Sequence, residues 1–144
     1  MIYKILYSKE QIEEMIDRIG DEINRDYDSL TAITILEGAK PFSEKLKKKI
    51  ERPMEDLYVK ISTYEGENST GKIRFMEHQY TDYTTSNLEG KHILLIEDIV
   101  DSGFSLDSFM KILEKENPAS ISVCALLDKH TRREYEVPVP YKGI

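Results

Sequence analysis

The sequence has a single cysteine, Cys124. That excludes a disulfide framework and any metal site built from several thiolates. No apolar run approaches the ~20 residues that a membrane-spanning helix needs. The start, Met1-Ile-Tyr-Lys-Ile-Leu-Tyr-Ser8, passes straight into a helical pattern with no basic segment followed by a long apolar one. No secretory leader and no membrane partner are therefore expected, and the expected location is cytoplasmic. Repeats, low-complexity tracts and Pro/Gly/Ser-rich linkers are missing, so one domain over residues 1–144 is expected. Positive charge is in the minority: 20 Lys+Arg stand against 27 Asp+Glu, a net charge of −7. That balance argues against nucleic-acid binding, because phosphate backbones need a basic face. What is present is an ordinary globular composition, 144 residues with 40% hydrophobic and 33% charged.

Apolar residues at Ile12, Met15, Ile16, Ile19 and Ile23 predict a helix from about Lys9 to Asn24. Ser8 with Gln11 reads as its capping box. Thr31–Leu36 is a β-branched apolar run that predicts a buried strand. Pro41 suits the first turn of a second helix carrying Phe42, Leu46 and Ile50. Leu57, Val59 and Ile61 alternate with polar residues, the period of a half-buried strand. Ile73 and Phe75 mark a further strand beside the polar loop 65–71, which suggests an antiparallel hairpin or flap. Residues 77–90 read as loop. His92–Ile96 predicts a buried strand, Ser105–Glu114 a helix and Ser120–Leu127 another strand. Val137-Pro-Val-Pro-Tyr141 must be extended, since two prolines forbid a helix. Strands alternating with helices imply an α/β fold with a mainly parallel sheet flanked by helices on both faces.

The chemistry concentrates in Lys91-His-Ile-Leu-Leu-Ile-Glu-Asp-Ile-Val-Asp-Ser-Gly-Phe-Ser-Leu106. Open α/β sheets bind ligands outside the carboxyl ends of their strands. Glu97 and Asp98 are expected at such an end. Asp101-Ser-Gly-Phe-Ser105 then turns into a helix, whose first N–H groups and dipole favour an anion. Gly103 permits close backbone approach, and Ser102 and Ser105 add hydroxyls. The pattern is a phosphate cradle with three carboxylates beside it, suited to sugar hydroxyls, Mg²⁺ or a base proton.

This segment resembles the phosphoribosyl-pyrophosphate motif of type I phosphoribosyltransferases: apolar strand, Glu-Asp or Asp-Asp, two apolar residues, then Asp-[Ser/Thr]-Gly-x-[Ser/Thr]. Within that superfamily the chain is most similar to the hypoxanthine and hypoxanthine-guanine enzymes. Ile35-Leu-Glu-Gly-Ala39 lies at their pyrophosphate-binding loop, Thr63-Tyr64 and Ser69-Thr-Gly71 on their mobile flap. Leu126-Leu-Asp-Lys-His-Thr-Arg-Arg133 matches their Leu-Leu-Asp-Lys-Pro-x-Arg-Arg type segment, and Val137–Gly143 the run into the purine-binding hood.

The resemblance implies a Rossmann-like fold with an antiparallel flap, and a role for each matching residue. Glu97 and Asp98 would hold the ribose hydroxyls, directly or near Mg²⁺. Asp101 would face the purine N7 as general acid or base. Asp101, Ser102, Gly103, Phe104 and Ser105 would hold the 5′-phosphate. Glu37 and Gly38 would form the pyrophosphate loop, with a cis peptide at Leu36–Glu37. Lys129 would donate to a purine 6-oxo group, Arg133 would support Lys129 and the pyrophosphate, and Thr63 and Tyr64 would cover the reacting centre. The implied reaction joins a purine, hypoxanthine or guanine, to the ribose of phosphoribosyl pyrophosphate. The products are a nucleoside monophosphate and pyrophosphate. A homo-oligomer is implied by family habit.

Several positions depart from the pattern. Glu37 replaces a Lys or Arg, and a carboxylate there repels pyrophosphate. His130 stands where the family often has Pro and reads as an exposed loop histidine. The family continues past Tyr141-Lys-Gly143, so a truncated hood is expected at Ile144. Phe104 reads as a packing residue, Cys124 as a buried inert thiol, and His78 and His92 as structural or solvated. The Asn68-Ser-Thr70 sequon carries no weight without a leader, and Lys45–Lys49 with Arg52 reads as a solvated basic face. Besides the enzyme, two readings stay open: a regulatory module that binds nucleotide or phosphoribosyl pyrophosphate without turnover, and an RNA-binding attenuation regulator on the same fold. The net charge of −7 argues against the last.

Overall fold

The computed structural model describes residues 7–64, 72–76 and 87–144. Helix α1 (Lys9–Asp26) opens with the expected reciprocal cap. The Gln11 amide donates to the Ser8 hydroxyl at 3.1 Å, and the Ser8 amide donates to the Gln11 side chain at 2.7 Å. These bonds satisfy two donors that a helix start leaves without an intrahelical partner. Strand β1 (Leu30–Leu36) is buried along its whole length, which explains its unbroken apolar and Thr composition. Helix α2 (Lys40–Lys47) takes Pro41 into its first turn. There follow β2 (Met54–Tyr64), β3 (Lys72–Met76), β4 (His92–Val100), helix α3 (Phe104–Glu114), β5 (Ser120–Asp128), a one-turn 3₁₀ segment (His130–Arg132) and β6 (Tyr141–Lys142).

The six strands form one sheet in the order β3-β2-β1-β4-β5-β6. Neighbours from β2 to β6 run parallel, and β3 pairs antiparallel with β2 at the edge, with Thr63 opposite Ile73. Both the parallel sheet and its antiparallel edge agree with the sequence reading. The rest of the flap motif, Ser69–Gly71, lies outside the described residues, as do Asn68 and His78.

Two boundaries differ in a way that matters. The sequence reading ends the fourth strand at Ile96. The strand runs on to Val100, because Ile99 and Val100 continue its pairing opposite Leu127 and Asp128 of β5. Glu97 and Asp98, expected at a strand's carboxyl end, are therefore strand residues just short of that end. Helix α3 likewise begins one residue before the expected Ser105.

Each face of the sheet carries its own core. Helix α3 contributes Leu106, Phe109 and Leu113 against Ile33, Leu95 and Val123. On the other face α1 and α2 contribute Ile19, Ile23 and Leu46 against Ala32, Leu94 and Cys124. Cys124 is fully buried, and burial pushes its thiol well above the usual cysteine range. Alternate residues of each strand thus serve opposite cores, as the period of two requires. Phe109, fully buried in the first core, is the largest side chain of α3 there. Truncation to Ala should cost about 3–5 kcal/mol in urea unfolding. A loss below 1 kcal/mol would mean that α3 is not seated as described.

Candidate active site

Parallel strands end together, so their carboxyl ends make a common edge. In register, Thr34 of β1 faces Ile96 of β4, and Val100 of β4 faces Asp128 of β5. Glu37-Gly38, the segment 97–105 and Asp128-Lys129 consequently lie along one edge of the sheet. The sequence-predicted residues are brought there from three separate strands.

The loop from β4 to α3 is shaped by Gly103, which has φ +86° and immediately precedes the helix. A Cβ at this position would stand 3.0 Å from the Tyr135 carbonyl oxygen and 3.1 Å from both Arg133 Cδ and Val137 Cγ2. Positive φ and close approach both demand glycine here. The chain beyond β5 folds over this loop. The amides of Glu134 and Tyr135 donate to the Ser102 carbonyl at 2.9 and 3.0 Å. The ring of Phe104 packs on that of Tyr135 with centroids 5.2 Å apart, so Phe104 packs as its sequence position suggests. The Ser102 hydroxyl accepts from the Phe104 amide at 3.3 Å.

Arg133 ties these parts together. Its Nε donates to the Asp101 carbonyl at 3.1 Å and Nη1 to the Val137 carbonyl at 2.7 Å. Its Nη2 donates to the Asp128 carboxylate, whose side chain is only 1% exposed. Asp128 also receives His130 Nε2 at 3.2 Å and lies 3.7 Å from Lys142 Nζ. His130 is exposed, as read from sequence, but it is not without a partner. The Lys129 amide donates to the Val100 carbonyl at 2.9 Å, which sets Lys129 beside the start of the Asp101 loop.

The carboxylates occupy three different environments. Asp101 is the open one, with its carboxylate 48% exposed and 3.6 Å from Arg132 Nη1. Asp98 is buried. Glu97 accepts from the Asp98 amide at 2.8 Å. Burial pushes its pKa up to about 7, against the pull of that hydrogen bond and with the help of the Asp98 charge. Among the described residues no three acidic, His or Cys side chains form a cage for a cation. Mg²⁺ is commonly held by one or two carboxylates together with substrate phosphates. Glu97 and Asp98 fit that donor set, and so fit an ion that arrives with a phosphorylated ligand.

At the end of β1 the Leu36–Glu37 peptide is cis, in accord with the sequence reading. The Glu37 carboxylate is 74% exposed and receives Lys60 Nζ at 3.2 Å. The Gly38 Cα faces open space, with no heavy atom within 4 Å of where a Cβ would stand. Thr63 and Tyr64 are the last residues of β2, next to this loop in chain direction. The sequence pattern does not point to Lys60 and gives Asp128 no part. Asp128 leaves a trace, a lone acid closing an apolar strand before Lys129, Arg132 and Arg133. Lys60 leaves none, because its nearness to Glu37 follows only from β2 lying beside β1.

A mainly parallel sheet with a glycine-turned loop and carboxylates at its carboxyl edge defines an α/β protein whose polar groups gather outside the strand ends, where open sheets bind ligands. The chain belongs to the phosphoribosyltransferase family, matching the phosphoribosyl transferase domain over residues 3–144. It is 33% identical to a hypoxanthine phosphoribosyltransferase of Haemophilus influenzae, over 96% of this chain and 78% of that protein. It is 36% identical to a hypoxanthine-guanine phosphoribosyltransferase of Dictyostelium discoideum, over 99% of this chain and 81% of that one. A solved hypoxanthine-guanine phosphoribosyltransferase of Bacillus anthracis superposes with a TM-score of 0.85 at 28% identity. That match covers 95% of this chain and 80% of the solved one.

Two outcomes follow for the unliganded protein. As pH rises, Glu97 loses its proton near 4.5 when unfolded and near 7 when folded. Its contribution to stability is thus fully present below about pH 4.5 and is lost by about pH 7. Glu97→Gln should remove this slope, gaining on the parent in denaturant midpoint as pH rises through the window. Parallel midpoint curves would contradict the burial of that carboxyl. Gly103→Ala should cost about 1–3 kcal/mol from positive φ alone. Unchanged thermal unfolding would contradict the left-handed backbone at Gly103 and the close approach of residues 133–137.

Proposed function

We propose that the protein is a purine-salvage phosphoribosyltransferase. It transfers the phosphoribosyl group of phosphoribosyl pyrophosphate to hypoxanthine, or guanine, and releases pyrophosphate. The observation that carries this reading is the β4–α3 loop, where Asp101 to Ser105 turn through Gly103 at φ +86° into α3 beside Glu97 and Asp98. It gains weight from the relatives, which are named as hypoxanthine and hypoxanthine-guanine phosphoribosyltransferases over nearly the whole chain. That naming favours turnover over the binding-only module that Glu37 left open.

In this mechanism the first amides of α3 and the Ser102 and Ser105 hydroxyls bind the 5′-phosphate, where the helix dipole favours an anion. Glu97 and Asp98 take the ribose hydroxyls and are the residues that would hold Mg²⁺. Bound there, Mg²⁺ supplies charge neutralisation for the pyrophosphate leaving group. Lys129 donates to the purine 6-oxo group, which favours hypoxanthine and guanine over adenine. A purine ring nitrogen attacks C1 of the ribose as the bond to pyrophosphate breaks, through an oxocarbenium-like state that must be kept from water. Asp101, open and near Arg132, holds or moves the proton at N7. Thr63 and Tyr64 close over the reacting centre, and Arg133 keeps the Lys129 segment and the phosphate loop in place.

The test is direct. Purified protein with Mg²⁺, phosphoribosyl pyrophosphate and hypoxanthine should form inosine monophosphate. Asp101→Asn should lower kcat by about 10²–10⁴-fold, the usual worth of a general acid or base. Inosine monophosphate should still bind that variant within a few-fold. Binding of nucleotide without turnover in the parent protein would reject the enzyme, and equal loss of binding and turnover in Asp101→Asn would reject its proton-transfer role.

A further inference from the structure

Position 37 confronts the proposed enzyme with an electrostatic conflict. Glu37 closes β1 on the loop to which the phosphoribosyltransferase reading brings the diphosphate leaving group, and its carboxylate is 74% exposed. The structure supplies the missing charge from the neighbouring strand. Lys60 lies on β2 directly opposite Leu36 in the parallel register. The neighbours Leu57 and Val59 show that odd positions of β2 serve the α3-side core. Alternation then puts Lys60 on the α2 side, and its ammonium reaches over the loop to Glu37 Oε1 at 3.2 Å.

We propose that Lys60 is the diphosphate-binding cation of this site, held by Glu37 when the site is empty and exchanged onto the anion when it fills. The inference rests on the phosphoribosyltransferase reading and assigns a residue that the sequence pattern did not point to. Two observations and one electrostatic argument carry it. First, both partners are exposed, 44% for the lysine side chain and 74% for the glutamate. Ion pairs of that kind hold weakly in water, so the ammonium can change partner. Second, a diphosphate carries several charges where Glu37 carries one, so it competes well for a shared cation. Third, the Gly38 Cα faces open space, which leaves room for the anion at the backbone next to the pair.

The same geometry allows a second role, in which Lys60 neutralises Glu37 and never touches the anion. The two roles separate in a double-mutant cycle read by binding, not activity. Parent, Glu37→Gln, Lys60→Ala and the double variant are titrated calorimetrically with pyrophosphate in Mg²⁺, and separately with inosine monophosphate. If Lys60 binds the anion, Glu37→Gln tightens pyrophosphate by about threefold or more, because the lysine is released. Adding Lys60→Ala to Glu37→Gln then weakens it by about tenfold, the loss of one charge-assisted hydrogen bond. Inosine monophosphate, which has no diphosphate, should bind all four proteins within about twofold.

If the double variant binds pyrophosphate as tightly as Glu37→Gln, Lys60 is only a neutraliser and the proposal is overturned. Parallel loss of inosine monophosphate and pyrophosphate would also overturn it, since Lys60 would then act on the whole site. The expected pyrophosphate pattern in a protein that fails to turn over hypoxanthine would support Lys60 while rejecting the enzyme. A parent protein that binds neither ligand would overturn both.

Discussion

The Arg133 guanidinium, laid between the Asp101 and Val137 carbonyls and the buried Asp128 carboxylate, is the contact on which the site depends. Four segments meet at it: the end of β5, the β4–α3 loop, the 3₁₀ turn and the extended run before β6. An arginine suits this place because its planar fork can address several oxygens at once and does not lose its charge on burial. Asp128 on its own would be costly to bury, and its pairing with Arg133 is what makes the position tolerable. Lys129 and Asp101 then follow as neighbours of fixed points, each one residue or one carbonyl from the tie.

The proposed function asks an acidic chain to hold anionic ligands. A net charge of −7 opposes long-range attraction of phosphate. The proposed site meets this locally, with backbone amides at the start of α3 and with single cations at defined points. Lys129 stands by Val100, Arg132 by Asp101, and Lys60 by Glu37. The acids at that edge stand in separate environments: Asp101 is open, Asp98 is buried, and Glu97 is half-buried, with desolvation pushing its pKa up to about 7.

Much of this was legible in the sequence. The strand pattern of Thr31–Leu36 and His92–Ile96 predicts a parallel sheet because fully buried strands read as continuous apolar runs. The window from Glu97 to Ser105 carries its own turn chemistry, with glycine at the one position of the loop that has positive φ. Family resemblance also anticipated the cis peptide at Leu36–Glu37. The rest was hidden for physical reasons. Glu97 and Asp98 are expected right at the strand end because charges close an apolar run, yet pairing with β5 carries the strand on to Val100. Asp128 and Arg133 are only five residues apart, but the short turn between them decides whether they meet. Lys60 and Glu37 are brought together by sheet order alone, which no local pattern encodes.

The central claim is that the carboxyl edge of the sheet, closed by the Arg133 tie, receives the ribose phosphate. The most direct measurement is an amide NMR titration of the protein with inosine monophosphate. The account predicts that the largest shifts fall on Asp101–Ser105 and Lys129. The amides around the cavity at the opposite end of the strands, at Tyr27, His92 and Ser120, should stay in place. Shifts centred on that opposite cavity, or saturation without movement of the Asp101–Ser105 amides, would contradict it.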